Sequence, residues 1–365
     1  MQLVAGVWLA VAWALTPAAE EPASDFERLA VAAHQARESG KLEEAAARYR
    51  EALSLRPEWA EGWWYLGTLH YDREQYAEAA ASFRRAAELN PKAGRAFAML
   101  GLSEFKLGRH TDALMHLQHG RRLGLGTESG LRHVVLYTAG LLLLERGEFA
   151  QAQRILDELS RDGVEDEDLT IALGLAVLGI LPNELRPPQL ELVRRAGTVQ
   201  RLAADRSRIK QALEGYRQLA ADYPRVRNVQ FALGRFLLAN HYDDEALVAF
   251  NRELENHPNH LLARLGIAAI LARTDPARGL PYAEEAVRMA PRLPEGRYLL
   301  GLLRLETGNV ASAIEELETA ARLAPTDPRI QFALARAYRR AGRKEDAARA
   351  ATAFQQLSQQ DAAEP

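Results

Sequence analysis

The chain has 365 residues, of which 48% are hydrophobic and 26% are charged, and its formal net charge is −3. This is the composition of an ordinary globular protein with enough apolar residues for a core. Because 46 Lys and Arg residues nearly balance 49 Asp and Glu residues, no overall field favours nucleic acid or an anionic membrane as a partner. The chain has no cysteine, which excludes disulfide bonds, thiolate metal ligands and a cysteine nucleophile.

The first predicted element is an apolar run, LVAGVWLAVAWAL, which small residues follow up to Ala19. The run is shorter than the roughly 20 residues that span a bilayer, and its shape is typical of a secretory signal peptide. We predict a signal peptide at residues 1–19, a periplasmic or secreted protein, and no membrane span in the mature chain. Since Met1 and Gln2 supply no basic side chain, an uncleaved anchor or a buried helix stays an alternative, and without a signal the protein would be cytoplasmic.

From residue 24 the sequence repeats a pair of short amphipathic helices with a period of 34 residues. The most complete copy is AEGWWYLGTLHYDREQYAEAAASFRRAAELNP at residues 60–91. Such a pair cannot bury its apolar face alone, so it needs similar pairs on either side. The marker residues of this copy are Trp63, Leu66, Gly67, Ala79, Phe83, Ala86 and Pro91.

The copies form an N-terminal block, residues 24–181, and a C-terminal block, residues 205–361. Between them lies LPNELRPPQ, whose three prolines cannot lie in a helix interior, followed by a helical stretch from Leu190 to about Ala204. We predict residues 182–204 as an irregular seam. In the C-terminal block, prolines end successive units at Pro224, Pro258, Pro291 and Pro325.

Small residues mark two places in each unit. Gly67 on the first helix is predicted to face Ala79 on the second helix, because a bulky side chain at either position would push the helices apart. A glycine between the two helices permits the left-handed backbone that ends a helix. Glu74 and His241 occupy that turn position in two units, so we predict strained turns there.

These residues resemble the tetratricopeptide repeat family, and the resemblance covers nearly all of residues 26–357 apart from the seam. It implies an all-α solenoid of about eight or nine helix-turn-helix repeats, wound into a right-handed superhelix whose concave groove is lined by first helices. It also implies a role in holding other proteins. The C-terminal units and the proline-bearing seam resemble repeat proteins that bacteria export.

The groove residues can be placed by helical spacing. If Trp63, Leu66 and Gly67 pack inward, the neighbouring positions face the groove and form an aromatic stripe with an arginine beside it. Aromatic anchors with a polar rim are what a peptide-binding groove needs. The alternative is that these rings pack between neighbouring first helices. The predicted groove residues are Trp64, Tyr71, Phe105, Tyr137 and Arg95.

A second candidate is the basic patch Arg336, Arg339 and Arg340 near the C-terminus. Arginines in a groove can hold a carboxylate or an acidic peptide tail. The interpretation that we favour is a solvated capping face, which terminal repeats need for solubility.

Catalytic and metal-binding patterns give no candidate residues. His116 and His119 share a helix face, but no carboxylate at ligand spacing on that helix completes a metal site. The sequence has no G-x-S-x-G, no H-E-x-x-H and no phosphate-binding glycine loop. We therefore expect no catalytic residue, no cofactor and no metal.

The function predicted from the sequence is a non-enzymatic scaffold or adaptor that binds a peptide or helix of a protein partner in the groove. Two alternatives stay open. One is an enzyme or regulatory subunit with a site in the seam, at residues 181–204, and the other is a solenoid that associates with itself.

Overall fold

The structure is a computed structural model that describes residues 24–126 and 129–363. The predicted signal peptide at residues 1–19 lies outside this range. Within it, the chain forms nineteen α-helices and three 3-10 turns without any strand, so the all-α prediction is confirmed. None of the helices in these two ranges is long and apolar enough to cross a bilayer.

The chain divides into two compact units, residues 1–124 and 125–365. This boundary falls inside the predicted N-terminal block, and the predicted block limits stay predictions. The helices of the first unit are α1 (Asp25–Glu38), α2 (Leu42–Leu55), α3 (Ala60–Asp72), α4 (Tyr76–Leu89), α5 (Gly94–Lys106) and α6 (His110–Leu123). They pack as three successive pairs, and consecutive pairs within this unit also contact each other.

The second unit contains six further helix pairs and one additional helix, α11, among the described residues. Its helices are α7 (Ser129–Glu145), α8 (Phe149–Arg161), α9 (Glu167–Leu178), α10 (Leu190–Ala204), α11 (Ile209–Asp222), α12 (Val229–Ala239), α13 (Asp243–Asn256), α14 (Leu261–Thr274), α15 (Pro276–Met289), α16 (Pro294–Glu306), α17 (Val310–Leu323), α18 (Pro328–Arg340) and α19 (Lys344–Ala363). Nine pairs agree with the predicted eight or nine repeats, and the helix-pair solenoid is confirmed.

Close packing within a pair depends on the small residues, and the prediction of which residues they face is correct only in part. A Cβ atom on Gly67 would lie 2.7 Å from the ring of Phe83, and one on Gly234 would lie 2.6 Å from the ring of Phe250. In these two pairs the glycine of the first helix therefore faces the bulky residue of the second helix, four positions beyond the predicted alanine. The reason is that the missing side chain leaves a hollow that the ring fills, while Ala79 is itself completely buried. In another pair a Cβ atom on Gly101 would also lie 2.9 Å from the backbone oxygen of Ala113, the alanine at the predicted position.

The turns inside the pairs have the predicted backbone. Gly40, Gly108 and Gly147 all have φ of 72°. Glu74, with φ of 58°, and His241, with φ of 64°, adopt the same left-handed conformation. This conformation brings Cβ close to the backbone in L-residues, so the prediction of strained turns at these two positions is confirmed.

The seam contains two 3-10 turns, Pro182–Glu184 and Pro187–Gln189, and then the regular helix α10. Helix α10 packs against both α9 and α11. Its contact with α9 is a backbone contact, because a Cβ atom on Gly174 would collide with the carbonyl of Val193 and one on Gly197 with that of Thr170. In α11, Ala212 and Tyr216 are buried at positions typical of the second helix of a repeat. Helix α10 therefore acts as the second helix of a pair with α9 and as the first helix of a pair with α11.

Candidate functional site

Four of the predicted groove residues lie on two neighbouring first helices of the first unit. Trp64 and Tyr71 lie on α3, and Arg95 and Phe105 lie on α5. The guanidinium carbon of Arg95 is 5.3 Å from the centroid of the Trp64 ring, which is a cation–π contact between the two helices. The three aromatic side chains are half-buried. We call these four residues the aromatic face.

The aromatic face also contributes to packing. Trp64 and Tyr71 lie against a core cluster that contains Phe83 and Leu100, and the Trp64 and Phe83 rings are 5.4 Å apart. Burial raises the pKa of Tyr71, so its hydroxyl stays protonated in neutral solution and can donate a hydrogen bond. The rings of Trp64 and Tyr71 thus have one side in the core and some surface left for a partner, while the Phe105 ring stacks on His110 with 5.6 Å between the ring centroids.

The neighbouring Trp63 is tied to the fold. Its Nε1 donates a hydrogen bond of 2.8 Å to the carbonyl oxygen of Pro57, and its ring packs on two core clusters. It therefore links α3 to the proline that ends the preceding pair, as the interpretation of Trp63 as a structural residue predicts.

Tyr137 lies on α7 and belongs to the second unit. Its side chain is half-buried, and burial raises its pKa. The aromatic face is therefore defined without it.

The basic patch of the C-terminal helices is partly neutralised. Arg336 and Arg340 donate to Glu306 on α16 at 2.5 Å and 3.2 Å, and Arg339 donates to the carbonyl oxygen of Ala335. Partial burial raises the pKa of Glu306, but the hydrogen bonds from the two arginines outweigh burial and hold this pKa below its ordinary value. A carboxylate of the protein already occupies two of the three predicted guanidinium groups.

The second unit contains a polar cavity beside α10 that the sequence analysis did not predict. Its volume is about 340 Å³, and its lining comes from helices α8 to α12 and the 3-10 turn Arg206–Arg208. We call it the seam cavity. The lining residues used below are Gln153, Asp157, Arg161, Gln200, Arg206, Tyr216 and Arg235.

Asp157 is the carboxylate of the seam cavity. Gln200 Nε2 donates to its two oxygens at 2.9 Å and 3.1 Å, and the buried hydroxyl of Tyr216 donates to Gln200 Oε1 at 2.6 Å. Burial raises the pKa of Asp157 to about 6, although the bond from Gln200 and the charges of Arg161 and Arg235 oppose this shift. The carboxyl group therefore changes charge in a slightly acidic solution.

Three arginines line the same cavity. Arg161 ends α8, Arg206 lies in the 3-10 turn Arg206–Arg208, and Arg235 lies on α12. All three side chains are exposed, and none forms a hydrogen bond or ion pair with another residue of the described part of the chain. Arg336 and Arg340, in contrast, both donate hydrogen bonds to Glu306.

A larger cavity, of about 910 Å³, adjoins the seam cavity and shares Arg161, Ala204 and Arg206 with it. Its own arginines are engaged. Arg201 lies 3.6 Å from Glu165, and Arg208 donates to Gln211 at 3.0 Å. Of the three arginines without a hydrogen bond or ion pair, Arg161 and Arg206 therefore lie where the two cavities meet.

A buried network fixes the beginning of α12. The carboxylate of Glu253 is completely buried and accepts the backbone N–H groups of Asn228 and Phe231 at 2.9 Å and 3.1 Å. His260 accepts from the Ala263 N–H through Nδ1, so Nε2 carries the proton and donates to Asn228 Oδ1 at 2.6 Å. Burial lowers the pKa of His260. Since each polar group here has a partner, we assign the network a structural role.

The histidines that share a face of α6 are engaged in a similar way. His116 Nδ1 lies 2.6 Å from Glu104 Oε2, and Arg84 donates to the other oxygen of this buried carboxylate at 2.9 Å. In residues 24–126 and 129–363, no three His, Cys, Asp or Glu side chains are grouped so as to hold a metal ion.

Comparison with solved structures finds helical repeat proteins of low similarity. A MamA RS-1 double mutant is 23% identical, with 47% of this chain and 96% of that chain covered and a TM-score of 0.43. The yeast Tom70 is 14% identical, with coverages of 92% and 84% and a TM-score of 0.37. The Cut9–Hcn1 tetramer of the APC/C is 14% identical, with coverages of 91% and 66% and a TM-score of 0.38. No curated protein matches the sequence.

Comparison with protein families gives a match over more than half of the chain. The model described as tetratricopeptide repeat matches residues 31–93, 66–118, 201–260, 269–328 and 298–362. These matches cover all or part of α1 to α6 and of every helix from α11 onward, with residues 261–268 of α14 between two matches. They agree with the helix pairs, the left-handed turns and the closing prolines described above. The chain belongs to the tetratricopeptide repeat family.

Proposed function

We propose that this protein is a non-enzymatic scaffold that holds a peptide or helix of a partner protein against the aromatic face. Proteins built from this repeat serve as binding surfaces because each added helix pair extends one continuous face. A segment laid across α3 and α5 would contact Trp64, Tyr71 and Phe105, with Arg95 at the rim.

The observation that carries the proposal is the contact between Trp64 and Arg95. It joins two neighbouring first helices, and it combines an aromatic ring with a cation in a half-buried position. Tryptophan, tyrosine and arginine are the residues that most often dominate the free energy of protein association. Asp72 and Lys106, next to Tyr71 and Phe105 in the sequence, are exposed and supply a polar rim.

The experiment is a double substitution, Trp64→Ala with Tyr71→Ala, in a tagged chain whose partner has been identified by crosslinking in cells. We expect partner binding to fall by about a hundredfold, since two anchor residues are removed. Far-ultraviolet circular dichroism of the variant should keep the wild-type helix content. Full partner binding by a folded variant would overturn the proposal.

Phe97→Ala is a matched control on the same helices. Phe97 is half-buried on α5, but its ring contacts His116 and His119 of α6, at 6.3 Å and 4.4 Å between ring centroids. The substitution should lower stability and leave partner affinity unchanged. An equal loss of binding in this control would mean that the double substitution acts through packing.

One observation favours the alternative of an enzyme with a site at the seam. The seam cavity holds a carboxyl group, Asp157, whose pKa burial raises to about 6, and perturbed pKa values cluster at functional sites. Acid–base catalysis usually needs a second group with a complementary role, but the other charged residues of this cavity are arginines. We therefore favour binding over catalysis for this cavity as well.

We also propose that the protein is exported by a signal peptide at residues 1–19. The apolar run and the small residues after it support this proposal. N-terminal sequencing of the protein from a periplasmic or secreted fraction should begin after Ala18 or Ala19. An intact Met1 in cytoplasmic protein would contradict the proposal.

A further inference from the structure

We propose that the seam cavity is a second binding site, which takes an acidic segment of a protein partner through Arg161, Arg206 and Arg235. This site lies in the second unit, on residues that the proposed function does not use. The test of this site is therefore independent of the test of the aromatic face.

The first step of the argument is the charge at the cavity. Arg161 comes from the end of α8, Arg206 from the turn after α10, and Arg235 from the middle of α12. Three separate elements thus place guanidinium groups around one space of about 340 Å³. The elements of the fold hold these like charges together although they repel each other, and a bound anion would remove the repulsion.

The second step is that these arginines form no hydrogen bond or salt bridge with an internal counter-ion within the described residues, although the charges of Arg161 and Arg235 act on Asp157. Other arginines of this chain do form such salt bridges. Arg336 and Arg340 both pair with Glu306, and Arg195 pairs with Asp222 at 2.6 Å. Asp157 is the one carboxyl group among the lining residues of the seam cavity, and it accepts its hydrogen bonds from Gln200. The guanidinium donors are left for a ligand.

The third step decides which kind of anion fits. Besides the donors, the cavity offers a buried acceptor, Gln153 Oε1, which has no hydrogen-bond partner in the described part of the chain. A phosphate ion brings few hydrogen-bond donors for this acceptor. A peptide brings backbone N–H groups for it, and the Asp or Glu side chains of the peptide suit the bidentate guanidinium donors.

The size of the site also suits a chain segment. The seam cavity opens into the adjoining cavity of about 910 Å³ at Arg161 and Arg206. An extended peptide rises about 3.3 Å per residue, so several residues could lie across both cavities with their carboxylates next to the shared arginines.

The test uses the full-length protein and a fluorescein-labelled, C-terminally amidated hexaglutamate peptide, with binding followed by fluorescence anisotropy. We expect saturable binding by the wild type and a loss of at least about tenfold in affinity for Arg161→Glu and for Arg235→Glu, because charge reversal at a contact replaces attraction by repulsion. A labelled hexalysine peptide should not bind.

Arg154→Glu is the matched control, since Arg154 is exposed on the same helix as Arg161 and does not line the cavity. It changes the net charge by the same amount and should leave affinity for hexaglutamate close to that of the wild type. Equal weakening by Arg154→Glu and Arg161→Glu would show general electrostatics and overturn the proposal. Circular dichroism of each variant should confirm the wild-type helix content.

Two further outcomes would also overturn it. One is no saturable binding of hexaglutamate by the folded wild type. The other is competition by inorganic phosphate at a lower concentration than by unlabelled hexaglutamate, which would assign the site to a small anion instead of a protein segment. Neither outcome affects the aromatic face, whose test depends on Trp64 and Tyr71.

Asp157 gives hexaglutamate binding at this site a pH dependence that binding to arginines elsewhere on the surface would not have. Because Asp157 repels the ligand when ionised, hexaglutamate affinity should rise as the pH falls from about 7.5 to about 5.5, across the pKa of this carboxyl group. Asp157→Asn should bind more tightly at about pH 7.5 and lose most of this dependence. The charged groups that face Asp157 are Arg161 and Arg235, which stay charged throughout. A pH profile unchanged by Asp157→Asn would contradict the proposed arrangement.

Discussion

At the scale of single residues, the turn between α3 and α4 holds Glu74 in a left-handed conformation, with φ of 58°. A glycine adopts this conformation without the clash of Cβ with the backbone. We predict that Glu74→Gly stabilises the protein by about 1 kcal/mol. The measurement is urea-induced unfolding followed by circular dichroism.

Glu78→Gly is the control for this prediction, because Glu78 is an exposed residue inside α4. Glycine inside a helix costs about 1 kcal/mol, so this substitution should destabilise. A destabilising effect of Glu74→Gly as well would show that the Glu74 side chain makes a favourable contribution that outweighs its backbone strain.

Asp157 couples stability to pH. Its pKa rises from an ordinary 3.8 to about 6 in the folded protein, so the folded state holds the proton more tightly than the unfolded state. The associated stability is complete below about pH 4 and is lost as the pH rises to about 6. We predict that Asp157→Asn is more stable than the wild type near neutral pH, by on the order of 2–3 kcal/mol. This difference should vanish near pH 4 in urea unfolding.

For Asp222→Asn we predict a change in stability of the opposite sign. A hydrogen bond from Arg195 lowers the pKa of Asp222, so its ionised form stabilises the fold above its unfolded pKa, and this contribution is lost as the pH falls. The variant should be less stable than the wild type near neutral pH. If both Asp variants shifted stability in the same direction at neutral pH, the burial of Asp157 would not be the cause of its effect.

The residues that could be predicted from the sequence are those with a role fixed by the repeat. The turn positions of Glu74 and His241 follow from their place in the 34-residue period. Asp157 could not be predicted as a cavity residue, because its hydrogen-bond partner Gln200 is 43 residues away. That pairing depends on how α10 packs, which the periodicity of either block does not determine.

At the scale of the helices, α9 and α10 touch through Gly174 and Gly197. A Cβ atom on Gly197 would collide with the backbone carbonyl of Thr170, which cannot move aside as a flexible side chain can. We predict that Gly197→Ala destabilises the protein by about 1–3 kcal/mol through overpacking. Thermal unfolding by calorimetry would measure this.

Gly130 supplies the matched control on α7, since a Cβ atom there would meet no atom within 4 Å. Alanine has a higher helix propensity than glycine, so Gly130→Ala should be neutral or slightly stabilising. A neutral Gly197→Ala would mean that α9 and α10 can separate without cost.

Glu253 joins α13 to the beginning of α12 by accepting two backbone N–H groups. In Glu253→Gln, an amide NH₂ group would replace one acceptor oxygen, and the negative charge at the helix N-terminus would be lost. We predict a destabilisation of about 2–3 kcal/mol in urea unfolding. Glu255→Gln, at an exposed position of the same helix, should have almost no effect, and equal effects of the two substitutions would contradict the capping role.

The seam shows what the sequence pattern misses at this scale. The prolines predicted a break, and the structure has 3-10 turns at Pro182–Glu184 and Pro187–Gln189. The sequence also predicted a helix at residues 190–204. Nothing in its spacing indicated that this helix would pair on both sides, because glycines such as Gly174 and Gly197 reveal a close contact only when their partners are known.

At the scale of the whole molecule, the repeat fold and the family could be predicted because the same physical requirement recurs in each pair. A small residue on the first helix, an apolar ring or leucine on the second and a closing proline suffice to define a unit. The proposed binding surfaces are less predictable from the sequence. Their residues do not repeat, and a half-buried ring such as Trp64 is compatible with packing and with recognition alike.

The central claim is that first-helix residues of the first unit contact a protein partner. Site-specific photo-crosslinking in cells tests it most directly, with a crosslinking amino acid at Asp72, at Lys106 or at Ala81. All three positions are exposed, but the first two end α3 and α5 beside the aromatic face, while Ala81 lies on the second helix α4. The account predicts one and the same crosslinked partner from Asp72 and Lys106 and none from Ala81. A partner captured from Ala81 alone, or none from Asp72 and Lys106, would contradict it.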